Sequence, residues 1–142
     1  MANDCIPWLE DADRISCQAT AAVTGKRFVK PSATRTSGPL IPATAQIGAS
    51  DPVDGGRIQA AQCVAGDHSI GVASWDAAIG EGFTAITEGI VPVNAGAALT
   101  AGQGVQSDAN GSAIPLAAGA KLGVAVDAAS GAGVDAQIKL VI

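Results

Sequence analysis

A segment of the sequence recurs within the same chain, and this repeat constrains the fold more than any other feature. The segment GVASWDAAIGEG at 71–82 returns as GVAVDAASGAG at 123–133, one residue shorter, and AAVTGKRFV at 21–29 resembles AALTAGQGV at 97–105. Because the two kinds of segment alternate along the chain, they predict two copies of one β unit, about residues 19–93 and 95–142. The first copy is longer because of a surface excursion over residues 31–65, which is rich in Pro, Ser and Thr.

Short runs rich in Val and Ile, bounded by Gly, Pro, Asp or Asn, predict strands in both copies. Asn110-Gly111 is the strongest hairpin signal, because both turn positions accept a positive φ, and Asp54-Gly55-Gly56 predicts a second turn. The chain has 30 Ala and 18 Gly among 142 residues, so its core must be thin and aliphatic. The expected fold class is all-β, mainly a small compact barrel or sandwich-like domain built from two related halves. The predicted strands are 20–23, 27–29, 58–64, 69–74, 83–87, 90–93, 104–107, 121–126 and 134–142.

Residues 1–18 lie outside the repeat and are expected to form an extended N-terminal arm, which leaves residues 19–142 as a single β domain. The arm contains one apolar group, Ile6-Pro7-Trp8-Leu9. Terminal segments are poorly ordered unless they dock on something, and Trp is a common anchor at interfaces. We therefore expect Ile6, Trp8 and Leu9 to contact a partner. The alternative is that Trp8 packs on its own domain.

The charge balance and the scarcity of aromatic residues exclude several classes of function. Eight basic and 13 acidic residues give a net charge of −5, which argues against a general binder of polyanions. Tyr is absent, and two Phe and two Trp are too few for base-stacking platforms. The sequence contains no stretch of 18 apolar residues, so it predicts no membrane-spanning helix. The first residues lack the basic region and apolar run of a signal peptide, so we expect synthesis in a cytosol.

Few residues could support catalysis or bind a metal. The single His excludes schemes that need two. Cys63 and His68 could form a nucleophile pair, but the segment between them is typical of a turn, and no orienting residue can be assigned. The three Cys and the His have the ligand count of a zinc site without the short C-x-x-C spacing, and free thiols are expected. The sequence therefore predicts neither an enzyme, nor a metal site, nor a cofactor.

Two glycine-containing segments, 80–85 and 131–136, fit the loose dinucleotide pattern G-x-G-x-x-A. That motif requires a following helix whose N-terminus faces the pyrophosphate. Here only three residues separate the first segment from Gly89, and only six residues follow the second, so neither is followed by enough chain for such a helix. We interpret both as hairpin turns in equivalent places of the two copies.

Basic residues concentrate near the start of the chain. Five of the eight fall within the first 36 positions, and four of those five lie between Lys26 and Arg35. Three interpretations of 26–30 stay open: a solvated strand end, a patch that meets an acidic protein surface, and a phosphate-contacting strand. We include Lys26, Arg27, Lys30 and Arg35 with the arm as candidate contact residues.

Several segments together resemble tailed-phage capsid decoration proteins, also called cement proteins. They are VPVNAGAALTAGQGV at 91–105, DANGSAIP at 108–115 and LGVAVDAA at 122–129, and TAAVTGKRFV at 20–29 is similar to the start of such proteins in phages of actinobacteria. The resemblance implies a compact β protein that binds the outer surface of an expanded phage head, bridges major capsid protein subunits and stabilises the shell. It also implies a homotrimer in the virion, made in the host cytoplasm, without catalysis, cofactor, membrane contact or direct nucleic acid contact.

The alternative is a β-sandwich binding module for a host surface or a carbohydrate. Such modules usually present aromatic platforms, and the chain offers only Trp8, Trp75, Phe28 and Phe83.

Overall fold

The computed structural model describes residues 14–33 and 57–142, and within these ranges the chain forms ten strands and no helix, so none that could cross a membrane. Strands β1 to β5 form a closed barrel in the order β1-β3-β2-β4-β5, and β6 to β10 form a second sheet in the order β6-β10-β9-β7-β8. We call them unit 1 and unit 2. This all-β architecture confirms the expected fold class. The strands are β1 Arg14–Ala19, β2 Phe28–Pro31, β3 Ile58–Gln62, β4 Gly71–Ala73, β5 Gly82–Ile86, β6 Ile90–Asn94, β7 Gly104–Ser107, β8 Ala113–Pro115, β9 Gly123–Ala125 and β10 Asp135–Leu140.

The two units share one strand order and one pairing register. An isolated antiparallel bridge joins Val23 to Ala77 in unit 1, and its counterpart joins Leu99 to Ala129 in unit 2. The same correspondence extends through the paired strands and matches β1 with β6, β2 with β7, β3 with β8, β4 with β9 and β5 with β10. The shared register is the structural counterpart of the repeat in the sequence.

The units differ in how completely they close. Parallel pairing of β1 with β3, which includes Ala19 and Ala60, closes unit 1 into a barrel. In unit 2 the corresponding closure is a single parallel bridge between Ala95 and Ala113. The hairpin predicted at Asn110-Gly111 is confirmed between β7 and β8. The corresponding connection in unit 1, between β2 and β3, includes residues 34–56 and the predicted turn at 54–56, which lie outside the described residues.

The turns that precede β5 and β10 are equivalent, with a shift relative to the sequence match. Gly80 and Gly133 both adopt the left-handed conformation, with φ of 83° and 84°. Their amides donate to the carbonyl oxygens of Ala19 and Ala95 at 2.7 and 2.8 Å. Gly133 is therefore the counterpart of Gly80. The sequence match made the second segment one residue shorter, but in the structure this turn of unit 2 is one residue longer than that of unit 1.

Alanine dominates the core of both units. The core of unit 2 contains a counterpart for each of the nine buried residues that form the core cluster of unit 1, and five of the nine are Ala in either unit. Small side chains fill these narrow interiors, as the composition requires. In chain order, the unit 1 residues are Cys17, Ala19, Val23, Val29, Ala60, Ala73, Ala77, Phe83 and Ala85, and their counterparts are Val93, Ala95, Leu99, Val105, Ala113, Ala125, Ala129, Ala136 and Ile138.

Three sequence assignments in the first copy are corrected. The end of the surface excursion predicted at 31–65 contains β3, which pairs with β1 and β2 in the barrel and has Ala60 fully buried. Residues 14–18, assigned to the arm, lie in β1 and pair with β5, so they belong to the barrel. The strand predicted at 20–23 is absent, because only Val23 makes a bridge there. Residues 1–13 lie outside the described residues.

Candidate functional site

Lys26 lies where the two units meet. Its Nζ donates to the Asp135 Oδ2 at 2.7 Å, and its carbonyl oxygen accepts from the Asn94 amide at 2.9 Å. Lys26 is also the one non-glycine residue with a positive φ, 61°, in the part of the chain that the structure describes. Its counterpart in unit 2 is Gly102, with a φ of 84°. A strained backbone position of unit 1 thus holds a cation that joins it to unit 2.

Arg27 contacts the Asn110-Gly111 turn of unit 2. Its Nη1 donates to the Asn110 carbonyl oxygen at 3.0 Å and to the Ser112 Oγ at 2.5 Å. The Phe28 amide donates to the Gly111 carbonyl oxygen at 2.8 Å. The turn of unit 2 therefore lies directly against the start of β2 in unit 1.

Lys30 is paired within unit 1. Its Nζ donates to the Asp67 Oδ2 at 2.5 Å, and the same oxygen accepts from the Val64 amide at 2.9 Å. The hydrogen bond from Lys30 lowers the pKa of Asp67, and the same bond raises the pKa of Lys30. Lys26, Arg27 and Lys30 thus all have partners within the chain. Their contact with another protein stays a prediction, and the geometry shows what they do inside this one.

The apolar part of the junction comes from the outer face of unit 1. Phe28, Val72 and Ile86 stand in register across β2, β4 and β5, and all three are fully buried. They belong, with Cys63, to the same core cluster as the interior of unit 2. Unit 2 therefore covers this face of unit 1.

The remaining predicted contact residues, Ile6, Trp8, Leu9 and Arg35, lie outside the described residues. The structure places neither the arm nor Arg35 relative to the junction.

The Cys63 and His68 pair lacks the geometry expected of a nucleophile and its base. The Cys63 Sγ contacts the backbone carbonyl oxygen of His68, at 3.7 Å. Burial raises the pKa of the Cys63 thiol to about 12, and burial also raises that of Cys17 to about 11. A thiol becomes a nucleophile as the thiolate, so both cysteines are structural core residues here. Among the described residues, no group of three or more His, Cys, Asp and Glu side chains could hold a metal ion.

An open cavity of about 280 Å³ lies on the outside of unit 1. Its volume is just below the range of roughly 300–1,000 Å³ that is usual for small-molecule sites. Two aromatic residues line it, the half-buried Trp75 and Phe83, which is 2% exposed, so the cavity presents little aromatic surface. The lining residues are Ser16, Arg57, Trp75, Gly82, Phe83 and Thr84.

The described residues thus define an all-β protein of two similar units that pack against each other. The chain belongs to the phage cement protein family, whose model matches residues 10–140. The fold is also similar to that of the head fiber gp8.5 N base in bacteriophage phi29, with a TM-score of 0.66 at 17% identity over 92% of this chain and 94% of that chain. No curated protein sequence matches the chain. The protein is thus a structural protein of the phage head that associates with the capsid.

Proposed function

We propose that this protein binds the outer surface of the phage capsid, bridges major capsid protein subunits and so stabilises the expanded head. The observation that carries the proposal is the family match, which extends over nearly all of the chain. The alanine-filled units, held together by hydrogen bonds, an ion pair and a shared apolar cluster, are suited to a role as a rigid clamp.

The physical basis of this role is multivalency. A single small protein makes a modest contact with each capsid subunit. When a homotrimer links several subunits, later contacts become effectively intramolecular, and avidity can exceed single-site affinity by roughly 10²–10⁴-fold. We therefore propose a homotrimer on the capsid surface of the virion.

The N-terminal arm is the proposed main contact, through Ile6, Trp8 and Leu9. An arm of this kind can add a strand to a sheet edge of a neighbour, so that main-chain hydrogen bonds supply affinity. The cluster of Lys26, Arg27, Lys30 and Arg35 is the proposed electrostatic contact. Since three of these cations have internal partners, alanine substitutions there would test stability together with binding.

Deletion of residues 2–13 tests the arm without removing any described strand, because β1 begins at Arg14. The truncated protein should keep its melting temperature and lose most of its binding to expanded heads purified without it. Trp8→Ala is the matched point variant, and it should show a smaller loss of the same kind. Unchanged binding of the truncated protein would contradict the proposed role of the arm.

Copy number and head stability test the function itself. Purified virions should contain the protein in many copies, and heads that lack it should rupture at lower temperature or under weaker osmotic shock. A few copies per virion would favour the alternative, a module that binds a host surface or a carbohydrate. Heads that are equally stable with and without the protein would contradict the proposed stabilisation.

A further inference from the structure

The contact between the two units joins two different surfaces. Unit 1 contributes the outer face of its sheet, with Phe28, Val72 and Ile86, which we call the head face. Unit 2 contributes its core cluster, which includes the buried Val91 and Leu122. We call the position of these two residues the tail. Since the units are alike, a contact of head to tail leaves one head face and one tail unused in every chain.

The unused head face belongs to unit 2. Gly104, Val124 and Lys139 stand there in register, at the positions that correspond to Phe28, Val72 and Ile86. The side chains of Leu116 and Lys121 lie over Gly104, 3.2 and 3.6 Å from the place of a Cβ. Leu116 is 39% exposed, whereas its counterpart Cys63 is buried at 1%.

The chain continues past β10 with two exposed apolar residues. Val141 and Ile142, at the C-terminal end of β10, are 54% and 51% exposed. Val124 is half-buried, and Lys139 is exposed. The counterpart of the face that is fully covered in unit 1 therefore combines the partly exposed side chains of Val124 and Leu116 with two exposed lysines, Lys121 and Lys139.

The unused tail belongs to unit 1. Ile15 and Ile70 are the counterparts of Val91 and Leu122, and both pack against the core cluster of their own unit. In unit 2 the side chains of Val91 and Leu122 are 0% and 2% exposed, whereas in unit 1 those of Ile15 and Ile70 are only half-buried. The apolar end of unit 1 is thus less covered than the matching end of unit 2.

We propose that copies of this chain associate head to tail, with the head face of unit 2 in one copy covering the tail of unit 1 in the next. The internal contact shows that a unit of this fold accepts another such unit on this face. A contact between unlike surfaces closes into a ring when its rotation allows, and a ring of three chains would be the homotrimer of the proposed function.

Sedimentation of the free protein tests this proposal independently of capsid binding. The wild-type protein should form a discrete oligomer at micromolar concentration. Leu116→Glu places a carboxylate at an exposed position of the head face, so it should leave the fold intact and raise the dissociation constant at least about 30-fold, as loss of a central apolar contact does. Val141→Glu provides a second head variant. The matched control is Ile79→Glu, in a turn of unit 1 at 73% exposure, which should have no effect.

Mixing variants distinguishes contact between unlike surfaces from contact between like ones. Ile15→Lys is the tail variant, and Ile70→Lys replaces it if circular dichroism shows that the first does not fold. A head variant and a tail variant should each be monomeric, and their mixture should form a dimer that grows no further, since it retains one intact contact. A wild-type monomer at all concentrations, an oligomer unaffected by the head variants, or a mixture that stays monomeric would overturn the proposal. Capsid binding by a protein that is monomeric in solution would overturn it while leaving the proposed function intact.

Discussion

Lys26 and Asp135, 109 positions apart in the sequence, form an ion pair of 2.7 Å that joins the turn before β2 to the first residue of β10. Gly102, which occupies the position of Lys26 in unit 2, has no side chain that could reach a partner. The two copies of the repeat have thus diverged at this position. Gly102 adopts the left-handed conformation without strain, whereas Lys26 is strained there but links the two units through its ion pair.

Substitution of Lys26 should separate the backbone cost from the ion pair. Both Lys26→Met and Lys26→Gly remove the pair, which is partly exposed and contributes about 0–1 kcal/mol. Only the Gly variant also relieves the left-handed conformation, whose cost is about 1–2 kcal/mol for an L residue. We expect Lys26→Gly to be more stable than Lys26→Met by about 1 kcal/mol in denaturant unfolding. Equal or reversed stabilities would show that the positive φ carries no strain.

Gly111 should be far less tolerant of substitution than Gly102. Both residues have a positive φ, 74° and 84°. A Cβ at Gly111 would lie 2.8 Å from the Gln62 Cγ and 2.9 Å from the Phe28 carbonyl oxygen, whereas Gly102 has nothing within 4 Å. We therefore expect Gly102→Ala to lower the free energy of unfolding by about 1 kcal/mol and Gly111→Ala by clearly more, about 2–4 kcal/mol.

The measurement for this pair of variants is thermal and denaturant unfolding, with capsid binding as a second readout. Similar losses for both alanine variants would contradict the close packing of the turn of unit 2 against unit 1.

Each strand that the sequence predicted contains at least one Val or Ile within a segment bounded by turn residues. β1 was missed because its inward residues are Ile15, Cys17 and Ala19, a weak apolar signal that alternates with polar residues and follows an acidic segment. β8 was missed because it has three residues and ends in a proline. Its position was nevertheless implied by the Asn110-Gly111 hairpin, since a turn of this kind needs a returning strand.

The junction between the units could not be predicted from the basic cluster. Lys26, Arg27 and Lys30 lie within five consecutive positions, but their partners lie 37 to 109 positions away and in different strands or turns. A charge pattern shows where cations lie and does not show which carboxylates or carbonyl groups the fold brings to them. The repeat, in contrast, could be recognised because it depends on local glycine and alanine patterns.

The two buried thiols should be nearly inert in the folded protein. Burial raises the pKa of Cys63 to about 12 and that of Cys17 to about 11, so little thiolate is present at pH 8. In a Cys5→Ser variant, which removes the remaining cysteine, a disulfide reagent such as DTNB should react slowly with the native protein and rapidly in guanidinium. Fast reaction of either thiol under native conditions would contradict the burial.

The Lys30 and Asp67 pair should make stability depend on pH in the acid range. The hydrogen bond from Lys30 lowers the pKa of Asp67 below its ordinary value of 3.8, so the carboxylate stabilises the folded state above that value, and the contribution is lost as the pH falls through the lowered pKa. Asp67→Asn keeps an oxygen that accepts from the Val64 amide and removes the charge. The melting temperature of the wild-type protein should exceed that of this variant by no more than a few degrees at pH 7, because the pair is partly exposed. The difference should shrink between pH 5 and pH 3, and a difference that stays constant over that range would contradict the assignment of the effect to the Asp67 carboxylate.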